Sequence, residues 1–171
     1  MLSEDLLKRV EDCDPESLVD LQLEGDGLCT VRTPEGWTLL HRAAQFGCEE
    51  IVLFLLSVGC GPNARDNKGY IPLHDAAMAR NCSRIIIERL HSAGARIHAK
   101  NVYGETPLYC AVKYSNLEAV AVLLELGASR DMKTRRRMCP IDEARYQLDC
   151  LTGERYVSQR EDLNRIIALL S

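Results

Sequence analysis

The sequence has few aromatic residues, no long apolar run and no surplus of positive charge. Its 171 residues include one Trp, six Tyr and two Phe. No apolar stretch approaches the roughly 20 residues that cross a bilayer, and the acidic start, MLSEDLLKRVEDCD, is unlike a secretory signal. The formal net charge of -4 argues against general phosphate binding, because nucleic-acid affinity rests mainly on Lys and Arg. We therefore expect a cytoplasmic or nuclear protein without nucleic-acid or membrane partners.

Motifs for nucleotides and metals are also missing. The sequence contains neither a G-x-x-x-x-G-K-[ST] loop nor a G-x-G-x-x-G turn. None of the eight Cys forms a C-x-x-C pair, and His91 and His98 have no Cys or His at ligand spacing. We therefore expect no cofactor and no metal. Several Cys lie in apolar helical runs, so the sequence predicts reduced thiols rather than disulfides.

What the chain does contain is a repeat. Three segments share one pattern, and a weaker fourth follows them. Their turn positions are spaced by 33, 35 and 33 residues, and a fixed period in this range predicts a stacked solenoid whose units bury their apolar faces against each other. The segments are EGWTLLHRAAQFGCEEIVLFLLSVGC from Glu35, KGYIPLHDAAMARNCSRIIIERLHSAGA from Lys68, YGETPLYCAVKYSNLEAVAVLLELGA from Tyr103 and RMCPIDEARYQL from Arg137.

Each unit has the local chemistry of a turn followed by two helices. A turn Gly can adopt positive φ, a Thr can cap the first helix, and a Pro fits the first helical position. The second helix has apolar residues on one face and ends at a Gly. The turn glycines are Gly36, Gly69 and Gly104; the caps are Thr38 and Thr106; the prolines are Pro72, Pro107 and Pro140.

The segments TLLHRAA, IPLHDAA and TPLYCAV, each followed by a second apolar helix, resemble the ankyrin-repeat signature T-P-L-H-x-A. The resemblance is strong over residues 35–132 and weak over 133–171. It implies an all-α solenoid of paired antiparallel helices joined by β-hairpin-like loops. Equivalent buried slots are expected for Leu40, Leu73 and Leu108.

The units divide one continuous domain into five parts. We predict a degenerate N-terminal capping repeat at 1–34, with Ser3 and Asp14 as helix caps, and a degenerate C-terminal capping repeat at 137–171. In the latter, the extra residues LTGERYVSQR before the last helix form either a surface loop or a lengthened first helix. Two residues inserted near RNCSR are expected between the helices of the second unit. The three full repeats are 35–67, 68–102 and 103–136.

The two signature histidines, His41 and His74, admit a catalytic and a structural interpretation. Either could be a general base, but the resemblance implies that each imidazole bonds backbone groups and ties neighbouring units together. A Cys nucleophile would need a base and an orienting group, and no nucleophile signature surrounds any Cys. We therefore predict that the chain is not an enzyme, with a cysteine-dependent enzyme as the alternative from another class.

The resemblance implies that the loop tips and the first helices form a groove that holds a protein or peptide. The sole Trp and four of the six Tyr fall at these positions, and both residue types often anchor interfaces. The alternative is that these rings pack against the adjacent unit. The candidate partner-binding residues are Trp37, Arg42, Gln45, Phe46, Lys68, Tyr70, Asp75, Met78, Tyr103, Glu105, Lys113, Tyr114, Arg135, Arg136 and Tyr146.

If Tyr70 and Tyr103 line this groove, replacing both with Ala should abolish partner capture and leave thermal melting nearly unchanged. If the rings are structural, melting should collapse. The basic run KTRRRM, residues 133–138, is interpreted as a solvated tip that can contact an acidic partner, with a nuclear import signal as the alternative.

The predicted function is that of a monomeric adaptor or scaffold that binds a protein or peptide. Within the same class, the alternative is an inhibitory ankyrin protein that masks a transcription factor or kinase. A third possibility is a spacer domain of a longer chain. Fold alone does not choose between these roles.

Overall fold

The computed structural model describes residues 10, 12–13, 27–80, 83–152 and 156–171. Across these ranges the regular structure is helical, without strands, which confirms the all-α class. The helices come in consecutive pairs, which we number from the first described helix. They are α1 Leu39–Phe46, α2 Glu49–Ser57, α3 Pro72–Met78, α4 Arg84–Ser92, α5 Pro107–Lys113, α6 Leu117–Glu125, α7 Pro140–Cys150 and α8 Val157–Leu170.

The pairs stack in two layers. The first helices pack side by side in the order α1, α3, α5, α7, and the second helices α2, α4, α6 and α8 pack in the same order behind them. Each pair also packs internally. Because every unit contacts mainly its neighbours, the chain forms the expected solenoid.

The first helices begin where side chains or proline relieve the unpaired N–H groups of the first turn. Thr38 Oγ1 accepts from the His41 N–H at 3.4 Å, and Thr106 Oγ1 accepts from the Tyr109 N–H at 3.3 Å. The helices α3, α5 and α7 each begin at a Pro, which has no N–H to satisfy.

The core repeats with the units. Leu40, Leu73 and Leu108 occupy equivalent slots and are at most 1% exposed. The second helices bury the expected face, for example through Ile51, Val52 and Leu55 in α2. Burying one such side chain stabilises the fold by about 1.5–3 kcal/mol, so the stack of equivalent slots is the main source of its stability.

The expectation of reduced thiols is wrong for four cysteines. Disulfides join Cys13 to Cys48 and Cys29 to Cys60, with Cα–Cα distances of 5.1 and 4.8 Å. The paired residues are 35 and 31 positions apart, close to one repeat, so stacking brings corresponding backbone segments within bonding reach. Among the described residues, Cys110, Cys139 and Cys150 are free.

Neither alternative for LTGERYVSQR, residues 151–160, describes its position. The first helix, α7, has 11 residues but ends at Cys150, before this segment. The last helix, α8, begins at Val157 and therefore includes the final four of the ten residues that were expected to precede it. Its buried face consists of Leu163, Ile166 and Leu170, which covers the end of the core.

Some predictions fall outside the described residues. These are the caps at Ser3 and Asp14 and the insertion at Asn81 and Cys82. Val10 and Leu28 are described, and both are buried in the core. In the described part of the chain, no helix has the length and apolar character needed to span a bilayer.

Candidate protein-binding surface

Four tips, residues 33–37, 66–70, 101–105 and 134–138, form a row beside the first helices, and we call the surface between tips and first helices the groove. In each tip the first N–H donates to the last carbonyl, at 2.9–3.1 Å. One backbone N–H···O hydrogen bond also joins each tip to the next, and the three such bonds are 2.9–3.0 Å long. These link Asn67 to Glu35, Val102 to Lys68 and Arg135 to Tyr103.

Long basic side chains reinforce the row, and the sequence analysis missed them. Arg32 donates to the carbonyls of Gly36 and Arg65, both at 2.9 Å, and Arg65 repeats this with Gly69 and Lys100. Lys100 Nζ donates to the Lys133 carbonyl at 2.9 Å. Their spacing of 33 and 35 residues equals that of the turn glycines, and this was the available signal.

The turn glycines allow the tips to approach closely. Gly36 and Gly104 have φ of 87° and 78°. A Cβ on Gly104 would lie 2.9 Å from the Arg135 nitrogen, and one on Gly36 would lie 2.9 Å from the Asn67 nitrogen. Arg137 holds this position in the last described tip, also with positive φ, at 61°. A side chain fits there because no further tip follows in the described chain.

The signature histidines join a helix start to the following tip. His41 Nδ1 accepts from the Thr38 N–H at 3.1 Å, so the proton is on Nε2, which donates to the Tyr70 carbonyl at 3.2 Å. His74 does the same between Ile71 and Glu105, at 3.2 Å each. Burial lowers the pKa of His74 to about 4 and lowers that of His41. These contacts fit a structural role for a neutral imidazole.

The next two units replace this histidine. Tyr109 reaches further and donates from its hydroxyl to Glu143 Oε2 at 2.5 Å. Burial, followed by the nearby Glu143 carboxylate, raises its pKa. Asp142 is shorter and accepts from the Cys139 N–H at 2.9 Å. The position therefore links units through an imidazole in the first two repeats and a tyrosine hydroxyl in the third, whereas Asp142 caps its own helix.

In the interior part of the groove, Trp37 and Tyr70 are half-buried and use their polar atoms within the stack. Trp37 Nε1 donates to Asp66 Oδ2 at 3.0 Å, and the Arg42 guanidinium carbon lies 4.5 Å from the centre of the Trp37 ring. The Tyr70 hydroxyl donates to Glu105 Oε2 at 3.2 Å. Each ring is therefore hydrogen-bonded to the following tip.

Glu105 collects several of these contacts. Its carboxylate accepts from Lys113 Nζ and Asn101 Nδ2, both at 2.8 Å. Burial acts to raise the pKa of Glu105, but the hydrogen bonds from Lys113, Asn101 and Tyr70 outweigh it and lower the pKa. Glu105 is thus an ionised and satisfied acid inside the groove wall.

At the C-terminal end of the groove the aromatic rings are exposed. Tyr103, Tyr114 and Tyr146 are 49%, 58% and 61% exposed. A cavity of about 640 Å³ lies among Tyr103, Tyr146, Lys113 and the fourth tip. A second cavity of about 360 Å³ shares Lys113 and Tyr146 with the first and extends to Tyr114, and we call the two neighbouring cavities the trough.

The remaining predicted residues divide by exposure. Asp75 is buried, with no hydrogen-bond partner for Oδ2 in the described chain, and burial raises its pKa well above the usual range. Neither Asp75 nor Glu105 offers surface to a partner in this conformation. Gln45 and Met78 are half-buried, and the exposed residues are Phe46, Lys68, Arg135 and Arg136.

Two of the three free thiols described have environments that oppose nucleophilic chemistry. Burial raises the pKa of Cys110 well above its ordinary value and also raises that of Cys139. A thiolate nucleophile needs the opposite shift. The described residues include no group of three or more His, Cys, Asp or Glu placed to hold a metal ion.

The described architecture agrees with comparisons to known proteins. The family described as ankyrin repeats (3 copies) matches residues 10–101 and 40–135. Rabankyrin-5 of Mus musculus is 33% identical over 127 residues, or 73% of this chain and 11% of the relative. Tyrosine-protein kinase Shark of Drosophila melanogaster is 36% identical over 115 residues, which cover 67% of this chain and 12% of the relative.

A third relative, human neurogenic locus notch homolog protein 2, is 32% identical in a match that is 169 residues long and covers 78% of this chain and 7% of the relative. The chain thus spans only 7–12% of the length of these curated relatives. Stacks of this kind generally bind other proteins and are not themselves catalytic. The chain belongs to the ankyrin-repeat family.

Proposed function

We propose that the chain is a non-enzymatic module that holds a protein or peptide partner in its groove, as an adaptor or scaffold. The contact surface in this proposal is the C-terminal part of the groove, with Tyr103, Tyr114 and Tyr146 as anchors. Trp37 and Tyr70 are not anchors in this proposal, because their polar atoms already donate hydrogen bonds to the following tip.

One observation carries the proposal, namely the exposure of three tyrosines along one trough in a chain with only nine aromatic residues. Aromatic side chains bury large area at low entropy cost and keep a polar atom for hydrogen bonding. Scattered single apolar residues on a surface need no explanation, but three exposed rings beside two neighbouring cavities favour a binding surface.

The shape of the trough favours an extended segment over a compact ligand. The two cavities run from the fourth tip along α7 to its C-terminal end, where Cys150 and Leu151 form part of the wall. Their walls come from both tips and helices, so a bound chain would contact several units at once. This is the use to which a solenoid surface is suited.

The test is a selection of random 12-residue peptides on the full chain, followed by affinity measurements on the enriched peptides. Tyr103→Ala with Tyr146→Ala should weaken binding by at least about tenfold, since two anchor residues should together contribute more than about 1.4 kcal/mol. The matched control is Val58→Ala with Ile85→Ala, which removes exposed apolar groups from α4 and from the end of α2 in the second layer. Binding by the control should stay within about twofold.

Thermal midpoints of both variants are measured alongside. Loss of binding with an unchanged midpoint supports the groove. Equal weakening by the two variants, or enrichment of peptides that ignore both, would overturn the proposal.

A further inference from the structure

The cavity beside the fourth tip, which we call the Arg135 pocket, has an unusual balance of charge. Its wall includes Arg135, Arg136 and Lys113 as cationic residues and Glu105 and Glu143 as acidic ones. Only the charges that other protein groups do not already neutralise can select a ligand.

Both carboxylates are occupied by hydrogen bonds from protein groups. Glu105 accepts from Lys113, Asn101 and Tyr70 at 2.8–3.2 Å. Glu143 accepts from the Tyr109 hydroxyl at 2.5 Å and from Gln147 Nε2 at 2.9 Å. Lys113 therefore offsets the charge of Glu105, whereas Glu143 is hydrogen-bonded by neutral groups and keeps one negative charge against the two arginines of the wall.

The arginines are not occupied in this way. Arg135 and Arg136 are exposed, and in the part of the chain that is described neither makes an ion pair. They lie at the fourth tip, between Lys133 and Arg137 in sequence. The uncompensated charge at this pocket is therefore positive, although the chain as a whole is acidic.

Thr134 adds a polar group to the same wall. Its counterparts in the other tips, Thr33, Asp66 and Asn101, accept backbone N–H groups within their own tips at 2.8–3.3 Å. Thr134 is 8% exposed and its hydroxyl has no hydrogen-bond partner among the described groups. A buried hydroxyl without a partner is costly, and a ligand acceptor in the pocket would relieve it.

We propose that the Arg135 pocket binds an acidic linear segment of a partner protein. Its Asp or Glu carboxylates pair with Arg135 and Arg136, and an apolar side chain lies between Tyr103 and Tyr146. Arg is suited to this role because its planar guanidinium binds carboxylates in a two-point geometry. The inference rests on the proposed function and specifies the chemistry of the partner.

The experiment uses the same 12-residue peptide selection on the full chain and on Arg135→Glu with Arg136→Glu. The matched control is Arg89→Glu with Arg130→Glu, which makes the same charge change at exposed arginines outside the pocket wall. Peptides selected by the wild type should be enriched in Asp and Glu. They should bind the charge-reversed pocket at least about tenfold more weakly and the control within about threefold.

Salt gives a second measurement. Raising NaCl from 50 to 500 mM should weaken binding of the acidic peptides several-fold, because exposed charge pairs are screened. Arg135→Gln with Arg136→Gln should give an intermediate loss. Thermal midpoints show that each variant folds.

Three outcomes overturn the inference. If the selected peptides carry no excess of acid but still need Tyr103 and Tyr146, the acidic partner is wrong and the proposed function stands. If no peptide depends on the groove at all, both fail. If a 16-nucleotide oligo-dT binds at equal ionic strength more tightly than every selected peptide and loses affinity with the arginines, the pocket serves nucleic acid instead.

Discussion

The groove has two parts that are built from the same repeat but differ in what their side chains do. In the interior part, Trp37 and Tyr70 donate hydrogen bonds to Asp66 and Glu105 in the following tips. At the C-terminal end, Tyr103 and Tyr146 are about half exposed or more, and Arg135 and Arg136 make no ion pair within the described chain. The two groups also differ in position, because Trp37 and Tyr70 follow a turn Gly whereas Tyr103 precedes one and Tyr146 lies in α7.

The difference arises from the neighbour that each unit presents. Trp37 and Tyr70 each follow a turn Gly and donate to a carboxylate of the next tip, which holds them within the stack. The same rule explains the turn residue itself. Gly104 lies against Arg135, whereas Arg137, with no described tip beyond it, keeps a long side chain.

The largest expected effect is a loss of folding stability at acidic pH. It should arise from His74 and not from Tyr109, which holds the equivalent position. Because burial lowers the pKa of His74 to about 4, the unfolded chain takes up this proton more readily, and stability is lost as pH falls from about 6.5 to about 4. The loss from His74 alone should be about 3 kcal/mol between pH 7 and pH 4. Tyr109 at the equivalent position takes up no proton in this range.

Urea denaturation of the wild type and of His74→Gln at several pH values measures this effect. The variant should be less stable at pH 7 but show a shallower decline towards pH 4. Parallel pH profiles for the wild type and His74→Gln would contradict the prediction.

The second prediction compares the two tyrosines that sequence reasoning treated alike. Tyr70→Ala should cost about 2 kcal/mol, because its half-buried ring packs edge-on to His74 at 5.4 Å and its hydroxyl bonds Glu105. Tyr103→Ala should cost less than about 0.5 kcal/mol. Urea midpoints check both, and equal losses would show that the two parts of the groove are not distinct.

The third prediction tests the contact between tips. Gly104→Ala and Gly127→Ala both place a Cβ at positive φ, at 78° and 89°. Only the first Cβ would approach a neighbouring backbone, at 2.9 Å from the Arg135 nitrogen, whereas nothing lies within 4 Å of the second. Gly104→Ala should therefore cost about 1 kcal/mol more than Gly127→Ala. Unfolding free energies measured for both variants test this prediction, and equal costs would contradict it.

The smallest effect should be a gain. Arg137 has a φ of 61°, and Arg137→Gly should raise the free energy of unfolding by about 0.5 kcal/mol, since relief of left-handed strain exceeds the added chain entropy of Gly. Arg136→Gly is the control, because Arg136 lacks positive φ, and it should lower stability slightly. A loss in both variants would rule out strain at Arg137.

Much of the fold could be predicted from local chemistry. The prolines that start α3, α5 and α7 and the apolar face of α2 act within a few residues, so the sequence carries their signal directly. The disulfides were predicted wrongly because their partners lie one unit apart, and the pairing depends on the stacking distance. The links made by Arg32, Arg65 and Lys100 also join separate units, although their period was visible.

The candidate site was less predictable for the same reason. Exposure of Tyr146 and burial of Asp75 depend on what the adjacent helix places against them, and composition at one position does not contain that information. The sequence by itself determined that this chain is a stack of helix pairs, because period, caps and apolar faces are local and repeated. Only the tertiary structure decided which groove residues bond the next unit and which face outwards, since that depends on contacts between units some 33 residues apart.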